Sequence, residues 1–346
     1  MSDIGIEALE RIHKALLIDD EWTEWGSRSF EWIGHRLKQR LNASPVFDDG
    51  DFHLSRLTAE TVVVDEVSAP EDRVAAVLSD LNQHALGNAY SYRREERRIV
   101  ATAVTVVHAD TLDWRSTQFE AYAIAQIAVG EAEADYLAAR TGGQVAVRSH
   151  PTIGKRQEPD DMLNVVEDLY ATDGRLSSRF ESAFEFETMG DVARGSPRVA
   201  TLGGSATGIA LEVAFAHGTS LTMFATDVRH RRIGNGLSVR LSLPMTVGQE
   251  DGERIATFLN DREANGESDA LHYGAWYCAN RQDCGATITY GLFFPNRLYR
   301  LGVAQDAGYA IVRRALWADR ILNGQTSSAS AWDVMVRRVR EFWRIK

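Results

Sequence analysis

The chain has 346 residues, 44% hydrophobic and 25% charged, with a net charge of −11. That length points to two domains of ordinary size, and that composition to a folded rather than a disordered chain. The acidic balance disfavours sequence-independent nucleic-acid binding, which needs a basic face to neutralise phosphates.

From the N-terminus, Leu9, Ile12, Leu16 and Leu17 recur at helical spacing, and so do Phe30, Ile33, Leu37 and Leu41. This predicts two helices, broken at Gly26-Ser27 and ended between Asn42 and Pro45. Strand-like stretches follow at Phe52, Leu54 and Leu57, and again at Thr61-Val62-Val63-Val64. Pro70 and Glu71 open a helix with Val74, Val77, Leu78 and Leu81 on its apolar face. Tyr90 to Tyr92 reads as a short strand and Ile99 to Val107 as a central one. A long helix runs from about Trp114 to Arg140 and stops at Gly142-Gly143. Residues 144–160, with Pro151, Gly154 and Pro159 among polar neighbours, read as a linker.

Beyond it, Met162 to Tyr170 is an expected helix, and Val199 to Ala216 and Leu221 to Val228 are glycine-punctuated strands. Gly234-Asn235-Gly236 is a hairpin-turn signal. The strand Leu237 to Leu243 is expected to stop at Pro244. A helix over Asp251 to Asn260, strands at Trp276 to Cys278 and Thr287 to Phe294, and a helix from Asp306 to Leu322 complete the pattern. The predicted domains are 1–150 and 160–324, with a C-terminal amphipathic helix over 325–346.

The order strand, proline, helix, strand, turn, strand, long helix thus occurs twice. Leu81-Asn82 ends one middle helix and Leu259-Asn260 the other. Tyr90 and Tyr92 open one following strand, where the second half has Tyr273, Trp276 and Tyr277. Ala134-Asp135 lies late in one long helix and Ala318-Asp319 late in the other. The expectation is two diverged copies of one α+β domain, each an antiparallel sheet covered by helices, plus terminal helices. On these stretches, Leu237 to Leu322 best and Thr61 to Arg140 less well, each half resembles the YbjN and type III secretion chaperone-like domains. The resemblance covers about half of the chain and rests on pattern, with no signature residues. It implies an N-terminal helix, a bent antiparallel sheet with one inserted helix, and a closing helix. It also implies protein binding, and carries over no catalytic residue.

No motif for a reaction is found. Leu202-Gly203-Gly204-Ser205-Ala206-Thr207-Gly208 puts Thr207 where a nucleophile elbow needs glycine, and reads as a glycine-rich hairpin. Gly154-Lys155-Arg156 lacks the hydroxyl and upstream glycine of a phosphate loop. Cys278 and Cys284 flank a polar turn. With His272 the only local histidine they fall short of a zinc site, leaving two free thiols or a redox-sensitive pair. Two cysteines make no disulfide framework and fit a reducing cytoplasm. No signal peptide and no transmembrane run is read. Cofactors and metals are expected to be none.

Two surfaces are candidate partner-binding sites. One is an aromatic surface at Trp276 and Tyr277. The other is the C-terminal stripe of Trp332, Val336, Val339, Phe342 and Trp343, flanked by Arg337, Arg338, Arg340 and Arg344. Trp22, Trp25, Phe30 and Trp32 form a further aromatic group, which reads equally as a docking surface for that stripe and as core packing. The expected function is a non-enzymatic, chaperone- or adaptor-like module that holds a partner segment in an apolar groove or at a sheet edge. The expected partner is a protein, not nucleic acid, and the chain would be a monomeric pseudo-dimer. The alternative is a small-molecule sensor or unfamiliar enzyme with a pocket between the domains.

Overall fold

Helix α1 (Ile4–Leu16) opens the chain, and the Asp3 carboxylate caps it by accepting from the backbone N–H groups of Gly5 and Ile6. Ala8, Leu9, Ile12 and Leu16 form its buried stripe, while Leu17 leaves the helix with φ 50° and is 80% exposed. The structure is a computed structural model. It describes residues 3–49, 52–85, 87–164, 199–205, 208–215, 218–230, 234–267, 273–281, 285–295, 298, 300 and 302–323.

The expected second helix is a hairpin instead. β2 (Ser29–Ile33) pairs with β3 (Lys38–Ala43), with Trp32 opposite Gln39 and Phe30 opposite Leu41. Phe30, Trp32, Gln39 and Leu41 alternate onto the buried face. Their two-residue period, interrupted by the turn, imitates the helical spacing of positions 30, 33, 37 and 41. β1 (Thr23–Trp25) flanks β2. The two strand signals after residue 50 merge into one 14-residue strand, β5 (Phe52–Asp65), which β4 (Phe47–Asp49) also joins.

Helix α2 (Glu71–Gln83) follows, then β6 (Ala89–Arg93), β7 (Arg98–Val107) and α3 (Leu112–Thr141), which ends on left-handed Gly142. The first sheet is antiparallel, ordered β1-β2-β3-β5-β7-β6. Helices α1 and α3 pack against its strands and each other. Between α3 and the sheet, a closed buried network joins Trp32, Gln39, Thr61 and Gln126, in which Gln126 also donates to Ala59 O. Every member is satisfied, as a buried polar cluster must be.

The stretch read as a linker packs onto this first half. β8 (Gln144–Val145) pairs with β5, and Ala146 is fully buried. The Arg156 guanidinium meets the Asp160 carboxylate at 3.1 Å, with side chains only 7% and 3% exposed. Polar residues there pair with one another instead of facing water, so composition alone reads as linker.

The second sheet is ordered β9-β10-β11-β12-β14-β13. β9 (Val199–Ser205) and β10 (Gly208–Phe215) form the glycine-rich hairpin that was expected. β11 (Gly218–His230) pairs with β12 (Gly234–Val247), so Gly234, Asn235 and Gly236 lie in a strand rather than a turn. Gly236 is required there by close approach, since a Cβ would sit 2.1 Å from the Phe294 carbonyl oxygen. β12 also runs past Pro244, with its register to β14 shifting between Ser242 and Thr246. Proline is tolerated in a strand at such an irregularity.

Helix α4 (Gln249–Ala264), β13 (Ala275–Arg281), β14 (Gly285–Pro295) and α5 (Val303–Asn323) complete the described chain. Of the helix expected over Met162–Tyr170, only 161–164 are described, and they are helical. Cys284 and the C-terminal residues Trp332, Val336, Val339, Phe342 and Trp343 lie outside the described residues. The fold is α+β, with antiparallel sheets flanked by helices. No described helix is long and apolar enough to cross a membrane.

The two sheets share a connectivity. In each, a 14-residue strand leads through a helix to an edge strand, and the next strand inserts between the two before a long helix follows. The halves meet where α2 packs on α4 and on β13, and α4 on β6. One continuous apolar core includes residues from both.

Candidate functional site

An antiparallel edge strand presents backbone N–H and C=O groups in alternate outward pairs, which recruit further strands unless covered. The edges that meet at the seam are covered. Asn82, at the end of α2, accepts from the Tyr90 N–H at 2.8 Å and donates to its carbonyl at 2.9 Å. Asn260, in α4, does the same to Trp276, both bonds 2.8 Å. The next outward N–H of β13, that of Cys278, donates to the Ser79 hydroxyl of α2 at 2.8 Å, across the seam.

This arrangement overturns the aromatic surface expected at Trp276 and Tyr277. Trp276 is fully buried and Tyr277 only 4% exposed. The Trp276 indole donates to Glu263 at 3.0 Å. Glu263 also receives a two-point contact from Arg314, at 2.6 and 3.0 Å, and the Arg314 guanidinium lies 3.8 Å from the centre of the Tyr290 ring. Burial acts to lower the Arg314 pKa, but the Glu263 carboxylate and Tyr290 outweigh it, so the net shift is upward. These aromatics are interior because β13 sits at the seam, a fact that strand periodicity does not carry.

Other polar contacts tie the seam. Arg115 of α3 grips both carboxylate oxygens of Asp306 at 2.8 Å. The Tyr122 hydroxyl donates to the Phe293 carbonyl at 2.8 Å, with its ring 4.1 Å from that of Tyr273. Cys278 is 5% exposed, and burial, reinforced by the Glu253 charge, pushes its thiol up to about 11. That disfavours a reactive thiolate. Among the described residues no group of three or more His, Cys, Asp or Glu is placed to hold a metal.

The outer edges differ. Among the described residues β1 pairs only with β2, and β9 only with β10. β1 also carries an apolar rim. Trp25 is 49% exposed and rests on His13 and Phe30, with centroids at 5.0 and 5.1 Å. Leu17, one helical turn beyond His13, is 80% exposed, and Ile153 is 48% exposed in the turn whose His150 ring touches Trp22. Asp19, Asp20, Glu21 and Glu24 surround this rim, all exposed, though Asp19 is ion-paired with Arg156. Of the N-terminal aromatics singled out in the sequence, Phe30 and Trp32 are fully buried and Trp22 is partly covered by Arg156. Sequence spacing did not separate the exposed Trp25 from these.

A second feature is a small cleft between the halves, with an enclosed space of about 20 Å³. Its walls include Arg56, Ala89 and Thr102 from the first half and Glu263, Tyr273 and Arg314 from the second. Comparison with protein-family models, with curated proteins and with solved structures finds no match.

Proposed function

We propose that the chain is a non-enzymatic protein-binding module, chaperone- or adaptor-like, that takes an extended partner segment along the outer edge of β1. The observation that carries this reading is the contrast between edges. β6 and β13 are closed by asparagine clamps, while β1, among the described residues, pairs on one side only and is bordered by Trp25 and Leu17. Strand addition supplies main-chain hydrogen bonds, and a half-exposed tryptophan supplies an apolar anchor. The acidic surround selects for basic residues beside the partner's apolar ones.

The order of elements from α1 to α3 also supports the reading, because it is the order that the resemblance to chaperone-like domains implies. With a second such sheet in the same chain, the module supplies its own pseudo-dimer partner and works as a monomer. The C-terminal stripe from Trp332 to Trp343 remains part of the proposal as a second contact surface.

The test is a photo-crosslinking amino acid at position 25, with partner capture from a lysate of the source cells. The Trp25→Ser chain is compared with Phe258→Ser, which removes an exposed aromatic on α4. Trp25→Ser is expected to weaken the captured complex by about 2 kcal/mol or more, roughly thirtyfold in Kd. Phe258→Ser is expected to leave it unchanged. Equal binding by both variants overturns the β1 site.

A further inference from the structure

Strand β1 offers a short and defined set of main-chain groups. Gly26 donates to the Ser29 carbonyl at 2.7 Å, which closes the turn to β2 and makes Glu24 and Glu31 the next hydrogen-bonded pair. The N–H and C=O of Trp25 therefore face outward, as does the Thr23 carbonyl. The Thr23 N–H does not, since it donates back to the Asp20 carbonyl. An added strand thus meets one full residue of ladder, centred on Trp25, and one further carbonyl.

Alternation then fixes what such a strand carries. A residue opposite Trp25 puts its side chain on the Trp25 face, where His13 and Phe30 lie. Its two neighbours fall on the Glu24 face. There the Glu31 carboxylate is shared by Lys38 and Arg40, while Glu24 meets only His150, at 3.8 Å, among the described charged groups. Asp20 and Glu21 add exposed carboxylates just before the strand. The complementary sequence is basic, apolar, basic.

That pattern occurs three times in the chain. In Arg36-Leu37-Lys38 the apolar residue is fully buried in the first half. The other two, Arg338-Val339-Arg340 and Arg344-Ile345-Lys346, fall in the C-terminal stretch outside the described residues. Two residues before Ile345 stands Trp343, on the same face of an extended chain. At that spacing Val339 has Arg337 and Glu341 instead.

We propose that Arg344-Ile345-Lys346 of the same chain occupies the β1 edge, with Ile345 opposite Trp25 and its basic neighbours beside Glu24. Resting on the reading of β1 as the binding edge, this contact keeps the edge self-occupied until a partner displaces it. The twenty residues between Asn323 and Arg344 span about 30 Å if helical and about 70 Å if extended, against about 50 Å for the width of a fold this size. Three main-chain bonds make a weak contact. The tether raises the effective concentration to about millimolar, so a weak contact suffices within one chain.

The experiment places a photo-crosslinking amino acid at Leu17, 80% exposed on this rim, in the full chain purified alone. Monomer and dimer bands are separated on a denaturing gel, and the cross-linked peptides are read by mass spectrometry. A link from position 17 to residues 343–346 is expected in the monomer band. It is expected to fall at least about tenfold when Arg344→Glu and Lys346→Glu are combined, because like charges then meet at Glu24. Adding Glu24→Lys to that pair is expected to restore it. The proposal is overturned by no link to 343–346, by a link that survives the charge reversal, or by a link confined to the dimer band, which assigns the segment to a second copy. Partner capture at position 25 is a separate readout. A link without capture sinks only the partner reading, and capture without a link sinks only self-occupancy.

Discussion

The Asn260 side-chain amide closes a ring of two hydrogen bonds with the backbone of Trp276, accepting its N–H and donating to its carbonyl, both at 2.8 Å. Asn82 makes the same ring with Tyr90. In each half the residue clamped is on the edge strand, and the asparagine comes from the helix just before it. The clamps occupy the groups to which another strand would bond.

Replacing either asparagine with alanine leaves a buried N–H and a buried carbonyl without partners. Each single variant is expected to cost about 2–4 kcal/mol in urea unfolding. A loss below 1 kcal/mol would show that water or a shifted strand takes over.

The Arg314–Glu263 pair is buried, with side chains 1% and 15% exposed. Glu263→Gln leaves a guanidinium in the interior without its counter-ion and is expected to destabilise by about 3–5 kcal/mol. The double variant Glu263→Leu, Arg314→Met removes both charges and is expected to cost less than Glu263→Gln alone. A double-mutant cycle on Tm checks this, and additive losses would contradict it.

Burial pushes the Glu120 carboxyl up to about 7. No hydrogen bond or ion pair reaches it among the described residues. Because the folded pKa lies above the unfolded one, the native state holds this proton more tightly. The resulting stability is complete below about pH 4.5 and is lost as the pH rises through 7. Glu120→Gln is therefore expected to match wild type near pH 4 and to exceed it at pH 8. The gain is about 1–2 kcal/mol, residual solvent contact screening part of the full shift. Urea unfolding at the two pH values tests it, and an equal difference at both would refute it.

Cys278 has its sulfur against Gly252, where a Cβ would be 2.5 Å away, and its thiol is pushed up to about 11. In a Cys284→Ser chain, the remaining thiol is expected to react with Ellman's reagent at least about a hundredfold more slowly when folded than in denaturant. A fast native reaction would revive the redox-pair reading.

Much of the secondary structure was legible from local pattern. Pro70-Glu71 starts α2, Gly142 ends α3, and the alternation from Ile99 to Val107 is β7, because each signal depends on neighbours within one element. The hairpin of β2 and β3 was not legible. Its buried positions fall three or four apart across a turn, and cross-strand pairing, with Trp32 opposite Gln39 and Phe30 opposite Leu41, is what distinguishes it from a helix.

The candidate site was less legible still. Trp22, Trp25, Phe30 and Trp32 are alike as residue types, yet Trp25 is half exposed and Trp32 wholly buried. Their difference depends on strand register and on what packs above, and register comes from pairing with segments distant in the chain.

By itself the sequence determined the α+β class, the acidic charge and the recurring order of strand, helix, strand, strand and long helix, since propensity and period act over a few residues; which strand lies at the edge and which inserts was decided by the sheet pairing. Only the tertiary structure decided that Trp276 is an interior residue rather than a surface one. It also decided that α2 and α4 close the edges of β13 and β6, and that Arg56 and Arg314, more than 250 residues apart, line one cleft. Burial and hydrogen-bond satisfaction are properties of neighbours in space, and some of those neighbours, such as Ser79 for Cys278 and Asp306 for Arg115, come from the opposite half of the chain.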